Sequence, residues 1–223
     1  GLASCGGGSG KVSDKDITVI SREEGSGTRD AFTELTGVLQ DDVDKTVDTA
    51  EISNSTSVVT QSVAGNDAAI GYISLGSLDD TVKAVKVDGV EATVDNIKSG
   101  DYKIQRPFNI VTKGEVKELP ADFIKFIMSK DGQKIIEDEG YISVNDNAEA
   151  YKASGLKGSI TLAGSTSVSP VMEVLADKYK ELNSGVTIEI QQTGSGAGIQ
   201  STTEGVCDIG MASRELKDEE TSQ

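Results

Sequence analysis

Two arginines bracket a glycine-rich turn in Ser21-Arg22-Glu23-Glu24-Gly25-Ser26-Gly27-Thr28-Arg29. The turn follows the β-branched run Ile17-Thr18-Val19-Ile20 and leads into the helix-like Asp30-Ala31-Phe32-Thr33-Glu34-Leu35. A strand, a Gly-Ser-Gly turn and a helix start, in that order, suit an anion: glycines admit backbone N–H groups close to a ligand, and the helix N-terminus adds unpaired donors and partial positive charge. Three stretches near the other end of the chain repeat this chemistry: Gly164-Ser165-Thr166-Ser167-Val168-Ser169-Pro170, Thr193-Gly194-Ser195-Gly196-Ala197-Gly198 and Ala212-Ser213-Arg214. Each follows an apolar, β-rich run. Taken singly, such glycines are also ordinary turn residues. Arg22 and Arg29 could equally pair with Glu23, Glu24 or Asp30, and Arg214 with Glu215 or Asp218. Four such loops holding three of the four arginines point instead to a cage of neutral donors with one or two guanidinium forks, suited to a tetrahedral oxyanion.

Composition narrows the chemistry further. The 223 residues carry 37 acidic against 21 basic side chains, a formal charge of −16. Such a balance argues against nucleic acid or an anionic membrane as partner, since both need a basic face. Any anion must then be captured by local dipoles and a few placed cations. With no histidine and two cysteines, Cys5 and Cys207, Ser-His-Asp and Cys-His catalysis and His-based metal sites are excluded, and no base is at hand to activate Ser26. No cofactor is implied. Cys207, within Val206-Cys207-Asp208-Ile209, reads as a small core residue, and Cys5 as an exposed thiol.

The first eleven residues read as a Gly/Ser-rich linker or tether. Leu2-Ala3-Ser4-Cys5 followed by Gly6-Gly7-Gly8-Ser9-Gly10 looks like the cleavage box and tether of a bacterial lipoprotein, but without a basic and an apolar region before it the simpler reading is a Gly/Ser linker with a chance or engineered cysteine. Gly10-Lys11 is not a P-loop, because Val12 stands where Ser or Thr must hold Mg²⁺.

The elements that must position these loops follow from local pattern. Asn54-Ser55-Thr56 predicts a cap for a helix from Ser57 to Ala64. Ala68 to Ser74 reads as a buried strand, and Val82 to Val94 as edge strands around a turn at Asp88-Gly89. Arg106 to Val111 forms another strand. The period then changes: Phe123, Ile124, Phe126, Ile127 and Met128 line one side of a helix started by Pro120, continued or restarted from Gly132 to Glu139. Beyond a joint at 153–158, strands at Ser159–Ala163, Val186–Ile190 and Cys207–Met211 alternate with helices. In one of these, Val171, Val174, Leu175, Tyr179 and Leu182 share a face, with Ser169 as N-cap and Pro170 at the first helical position. Repeated strand-to-helix alternation implies α/β architecture with parallel sheets, whose ligands bind beyond the carboxyl ends of the strands.

Taken together, the segments 21–32, 163–170, 193–198 and 208–214 resemble the phosphate-binding proteins of bacterial ABC-type phosphate importers. The resemblance runs from about Lys11 to Gln223. It implies a two-lobed, type II periplasmic-binding-protein-like fold closing on inorganic phosphate. It further implies an extracytoplasmic, non-catalytic monomer, periplasmic or a cell-surface lipoprotein, that delivers its ligand to a membrane permease. Carried onto this sequence, the family's site falls on Arg22, Ser26, Gly27 and Thr28 in one lobe (12–114). In the other lobe (115–223) it falls on Thr166, Ser167, Ser195 and Ser213. Many members hold an aspartate at the position of Ser213, where it accepts the proton of hydrogen phosphate and rejects sulfate. Glu24, in the opening loop, is then the substitute acceptor.

In the family the 163–170 loop lies near the N-terminus and the Gly-Ser-Gly-Thr loop later, so the present order predicts a circular permutation joined through Ser154-Gly155-Leu156-Lys157-Gly158. A hinge-crossing strand, a further strand and a helix expected between the counterparts of Gln223 and Lys11 have no equivalent. An engineered or rearranged scaffold with weak phosphate binding, or a binder of another tetrahedral oxyanion such as sulfate, is therefore the competing expectation. A phosphatase or serine hydrolase built on Ser26 is a third.

Overall fold

The computed structural model describes residues 16–223. The linker, Cys5 and the Gly10-Lys11 pair lie outside the described residues. The chain opens with β1 (Thr18–Arg22), α1 (Gly27–Thr36), a hairpin of β2 (Leu39–Gln40) and β3 (Val43–Asp44), β4 (Glu51–Ser53), α2 (Thr56–Ala64) and β5 (Ala69–Ile70). After α3 (Val94–Ser99) come β6 (Asn109–Val111), α4 (Glu118–Met128) and α5 (Lys130–Asp138). The last third alternates β7 (Gly158–Gly164), α6 (Ser169–Leu182), β8 (Val186–Gln192), α7 (Ser195–Thr203), β9 (Ile209–Ala212) and α8 (Asp218–Thr221).

Two principal sheets define two lobes. In the smaller, β1 lies between β4 and β5 and runs parallel to both. Ile20 and Val59, each 1% exposed, are the centre of its core. In the larger, the order is β6-β9-β7-β8, with β7 parallel to β8 and β9 and only β6 antiparallel. Because β6 pairs with β9, the sheet of the larger lobe takes in residues from the 12–114 span. Phe108 and Ile110 pack on its core, which pulls the larger lobe's sequence back past the expected boundary.

The larger core is built by α4, α5 and α6 on the sheet. Phe123, Phe126 and Tyr179 are fully buried among Ile160, Leu162, Leu175 and Ile209. Phe123 meets Tyr179 edge-on at 5.0 Å. Each of these large side chains contributes about 1.5–3 kcal/mol by leaving water. In α6 the buried stripe is Val168, Val171, Met172, Leu175, Ala176 and Tyr179, a three- and four-residue spacing. Val174 and Leu182, expected on that stripe, are 37% and 38% exposed. The helix begins one residue earlier than expected, with Val168 at its N-cap and Ser169 already helical.

Ser129 separates α4 from α5. It closes the first and caps the second, its hydroxyl accepting from Gly132 N–H at 3.2 Å. The joint at 153–158 is tied down by Asn183, whose Oδ1 accepts from Ser154 N–H at 3.0 Å and Gly155 N–H at 3.3 Å.

Two expected strands shrink. From Ala68 to Ser74 only Ala69–Ile70 pairs, and Ile70 is 48% exposed. Over 82–94 the turn forms, with Asp88 and Gly89 both at positive φ, but the flanks make a single bridge between Val87 and Val90. These residues have no second sheet face to bury against, and alternation alone does not sustain a ladder.

Candidate anion-binding site

Five parallel strands end at one place. Arg22 is the last residue of β1, Ser53 ends β4, and the loops after β7, β8 and β9 supply Thr166 and Ser167, Ser195, and Ser213. These ends face each other across the gap between the lobes, and hydroxyls and one guanidinium meet there.

Arg22 is 2% exposed. Its Nη2 donates to Thr166 Oγ1 at 2.8 Å across the lobes. Behind it, Nε donates to Glu23 Oε1 at 3.0 Å and to the Ser53 carbonyl at 3.2 Å. Main-chain support comes from Tyr72, whose hydroxyl accepts from Arg22 N–H at 3.2 Å and shares a hydrogen with Ser21 Oγ at 2.8 Å. Burial pushes the Tyr72 phenol above its ordinary range, so it stays a neutral donor and acceptor.

Thr28, at the start of α1, lies 2.9 Å from Ser167 Oγ and donates to Ser213 Oγ at 3.1 Å. Ser213 is a hub. Ser165 Oγ donates to it at 3.0 Å, Ser195 Oγ lies 3.3 Å away, and its own N–H donates to Ser195 Oγ at 3.1 Å. Thr56, at the first position of α2, completes the group: its hydroxyl is 3.0 Å from Ser167 Oγ and 3.4 Å from Thr166 Oγ1. Every one of these hydroxyls can donate or accept, which suits an oxyanion of variable protonation.

The backbones approach as closely as the side chains. Gly196 N–H donates to the Gly25 carbonyl at 3.2 Å. A Cβ on Gly27 would stand 2.7 Å from the Cβ of Ser195 and closer still to its Oγ, so glycine is required for the lobes to meet. On its own side of the gap, α7 presses onto the larger sheet just as tightly. A Cβ on Gly198 would collide with the Ala163 carbonyl.

Arg22, Gly27, Thr28, Thr166, Ser167, Ser195 and Ser213 are thus gathered as expected. Ser26 sits with them, buried, but its hydroxyl is the N-cap of α1 and accepts from Arg29 N–H at 3.2 Å. Glu24 points to solvent, and the carboxylate that reaches the group is Glu23, through Arg22. Arg29 is structural: it pairs with Asp44 at 2.9 Å and donates to the Arg22 carbonyl. Arg214 binds neither expected partner side chain. Its Nη1 and Nη2 hold Glu220 at 2.6 and 2.9 Å, and its Nε lies 3.1 Å from Asp30 in the other lobe, without the alignment of a hydrogen bond. That guanidinium holds the Glu220 carboxyl below its ordinary value. Thr56 and Tyr72 carried no motif, and Ser165, although inside the 164–170 loop, was not among the expected contacts. Cys207 is buried at 9% exposure against Thr202.

Strand ends from two sheets closing on one small polar group define a two-lobed binding protein, and residues 9–131 and 149–223 match the family model described as a PBP superfamily domain. Within that superfamily the chain belongs to the PstS family of phosphate-binding proteins. It is 52% identical to phosphate-binding protein PstS 2 of Streptococcus agalactiae over 100% of this chain and 78% of the relative, and 49% identical to PstS 2 of Streptococcus pneumoniae over 99% and 78%. A crystal structure of a phosphate-binding protein of a phosphate ABC transporter from S. pneumoniae superposes with a TM-score of 0.76 at 50% identity, covering 93% of this chain and 82% of that one. A substrate-binding protein from Clostridium perfringens with bound phosphate matches at 46% identity and a TM-score of 0.56, over 60% of this chain and 54% of that one. The streptococcal relatives align along essentially the whole chain, so no rearrangement relative to them is shown, and neither is the circular permutation expected from the loop order.

Proposed function

We propose that this protein binds inorganic phosphate between its lobes, as a monomer and without catalysis, and passes it to the membrane permease of an ABC importer outside the cytoplasm. The ligand contacts are Arg22, Ser26, Gly27 and Thr28 from one lobe and Thr166, Ser167, Ser195 and Ser213 from the other. The observation that carries this reading is the set of contacts between lobes, in which Arg22 reaches Thr166 and Thr28 reaches Ser167 and Ser213. Bound phosphate in the clostridial relative supports it. The charge of −16 speaks against nucleic acid. No helix among the described residues is long and apolar enough to cross a membrane.

Phosphate oxygens would take charge-assisted hydrogen bonds from the Arg22 fork and ordinary ones from hydroxyls and the N–H groups at the start of α1. Calorimetry with inorganic phosphate tests this directly. A saturable site with one phosphate per chain, and a melting temperature that rises with phosphate, is the expected result. Heat-silent titration with an unmoved melting temperature would overturn the assignment.

A second reading, binding of sulfate, is favoured by Ser213. Its hydroxyl donates as readily as it accepts, so it does not by itself reject an oxyanion that has no proton to give. Sulfate competing against phosphate at comparable concentration supports that reading, and sulfate failing to compete removes it.

A further inference from the structure

We infer that Thr56 is a ligand-contacting residue of the phosphate site, the second threonine hydroxyl that the smaller lobe brings against Thr166 and Ser167; this rests on the phosphate reading above. Nothing in the sequence around it marks the residue, since Asn54-Ser55-Thr56 reads as a helix cap. The cap, however, is Ser55, whose side chain accepts from Val58 N–H. That frees the Thr56 hydroxyl from capping. It is 6% exposed and points across the gap, 3.0 Å from Ser167 Oγ and 3.4 Å from Thr166 Oγ1, while accepting from Arg22 Nη1 at 3.4 Å.

Thr28 and Thr56 therefore hold matching places. Each stands in the first turn of a helix that follows a strand of the same parallel sheet, α1 after β1 and α2 after β4. Each lies within 3.0 Å of the same atom, Ser167 Oγ. An anion that takes hydrogen bonds from Arg22, Thr28, Thr166 and Ser167 is bounded on the remaining side by Thr56. Its hydroxyl then has a choice of an anion oxygen or its present neutral partners, and the charged acceptor gives the stronger bond.

The test compares Thr56→Val, which keeps the shape and removes the hydroxyl, with Thr56→Ser, which keeps the hydroxyl. Calorimetry with inorganic phosphate should show an affinity about ten- to a hundredfold weaker for the valine variant, and within about twofold of the parent for serine. In the Arg22→Met background the valine substitution should still weaken binding, because the contact is direct. Disappearance of its effect there would show that Thr56 acts only through Arg22, and would overturn the proposal. So would a valine variant that binds like the parent. Should the valine variant not fold, Thr56→Ala against Thr56→Ser reads the same difference, and equal affinities refute the contact. Failure of the parent protein to bind phosphate would instead remove the functional reading itself.

Discussion

Replacing Arg22 by methionine removes the one guanidinium that crosses the lobes within the site while keeping much of its volume. Three losses follow. The Nη2 bond toward Thr166 goes, and with it the charge-assisted bond an anion oxygen would receive there, about 1.5–3 kcal/mol. The Ser53 carbonyl loses a bond from a charged donor at 3.2 Å, costing about 1.5–3 kcal/mol of fold stability. Glu23 loses the countercharge that Arg22 Nε holds at 3.0 Å, and an unneutralised carboxylate next to the site disfavours an anion there. The binding loss therefore belongs at the upper end, about a hundredfold in Kd. Calorimetry well below the melting temperature separates it from the stability loss. Glu23→Gln should move affinity the other way, and the double variant should recover part of what Arg22→Met loses. An Arg22→Met protein that binds phosphate within about twofold of the parent would refute the placement of the cation and the electrostatics built on it.

Gly27→Ala should abolish the phosphate-induced rise in melting temperature with little change in the phosphate-free value, because the added carbon strikes Ser195 only when the lobes meet; a preserved rise would mean that the contact is not needed for binding. Ser213→Asp places an acceptor-only group among three hydroxyls, so competition calorimetry should show sulfate weakened by about tenfold or more relative to hydrogen phosphate, and equal changes for both anions would place Ser213 away from the ligand. Glu220 is held below its ordinary value of 4.5 by the Arg214 hydrogen bond. A carboxyl lowered in the folded state stabilises it fully above the unfolded value, and the contribution is lost as pH falls through the lowered one. Glu220→Gln should therefore lower the melting temperature at neutral pH and flatten its fall below about pH 4.5; parallel pH profiles for variant and parent would rule the ion pair out as an acid-sensitive contact.

Much of this site was legible because its chemistry is local. A β-branched run, a glycine turn and a helix start specify a strand end with donors whatever else surrounds it, and Arg22, Thr28, Thr166, Ser167, Ser195 and Ser213 all sit where that pattern puts them. Partner choice was not legible. Arg214 finds Glu220 and Asp30, six residues along and in the other lobe, while Glu24 lies in solvent and its neighbour Glu23 takes the guanidinium. Thr56 was missed because β4 is only three residues, Glu51-Ile52-Ser53, too short to show a period, and its Ile52 is 57% exposed. Without that strand the helix after it reads as starting in a loop instead of at a sheet's carboxyl edge. The reverse error came at 82–94, where alternation was present but no neighbouring strand was there to pair with.

The surfaces that meet at the site are lined by alcohols, with Arg22 the guanidinium among them and Arg214 reaching Asp30 between the lobes, and this governs how readily they part. When two hydroxyls separate, water replaces each bond at a net cost of about 0.5–1.5 kcal/mol or less, and Arg214 keeps Glu220 when it leaves Asp30. An oily seam of the same extent would hold shut. A seam of hydroxyl bonds can part with water taking each partner, and a ligand shifts an open–shut pair only by the difference in its affinity for the two. Moving such a pair from 1:99 to 99:1 takes about 5.5 kcal/mol, within reach of two or three charge-assisted bonds made only on closure. A seam of serine and threonine, unlike an oily one, thus leaves the energy of closure to the ligand that bridges it.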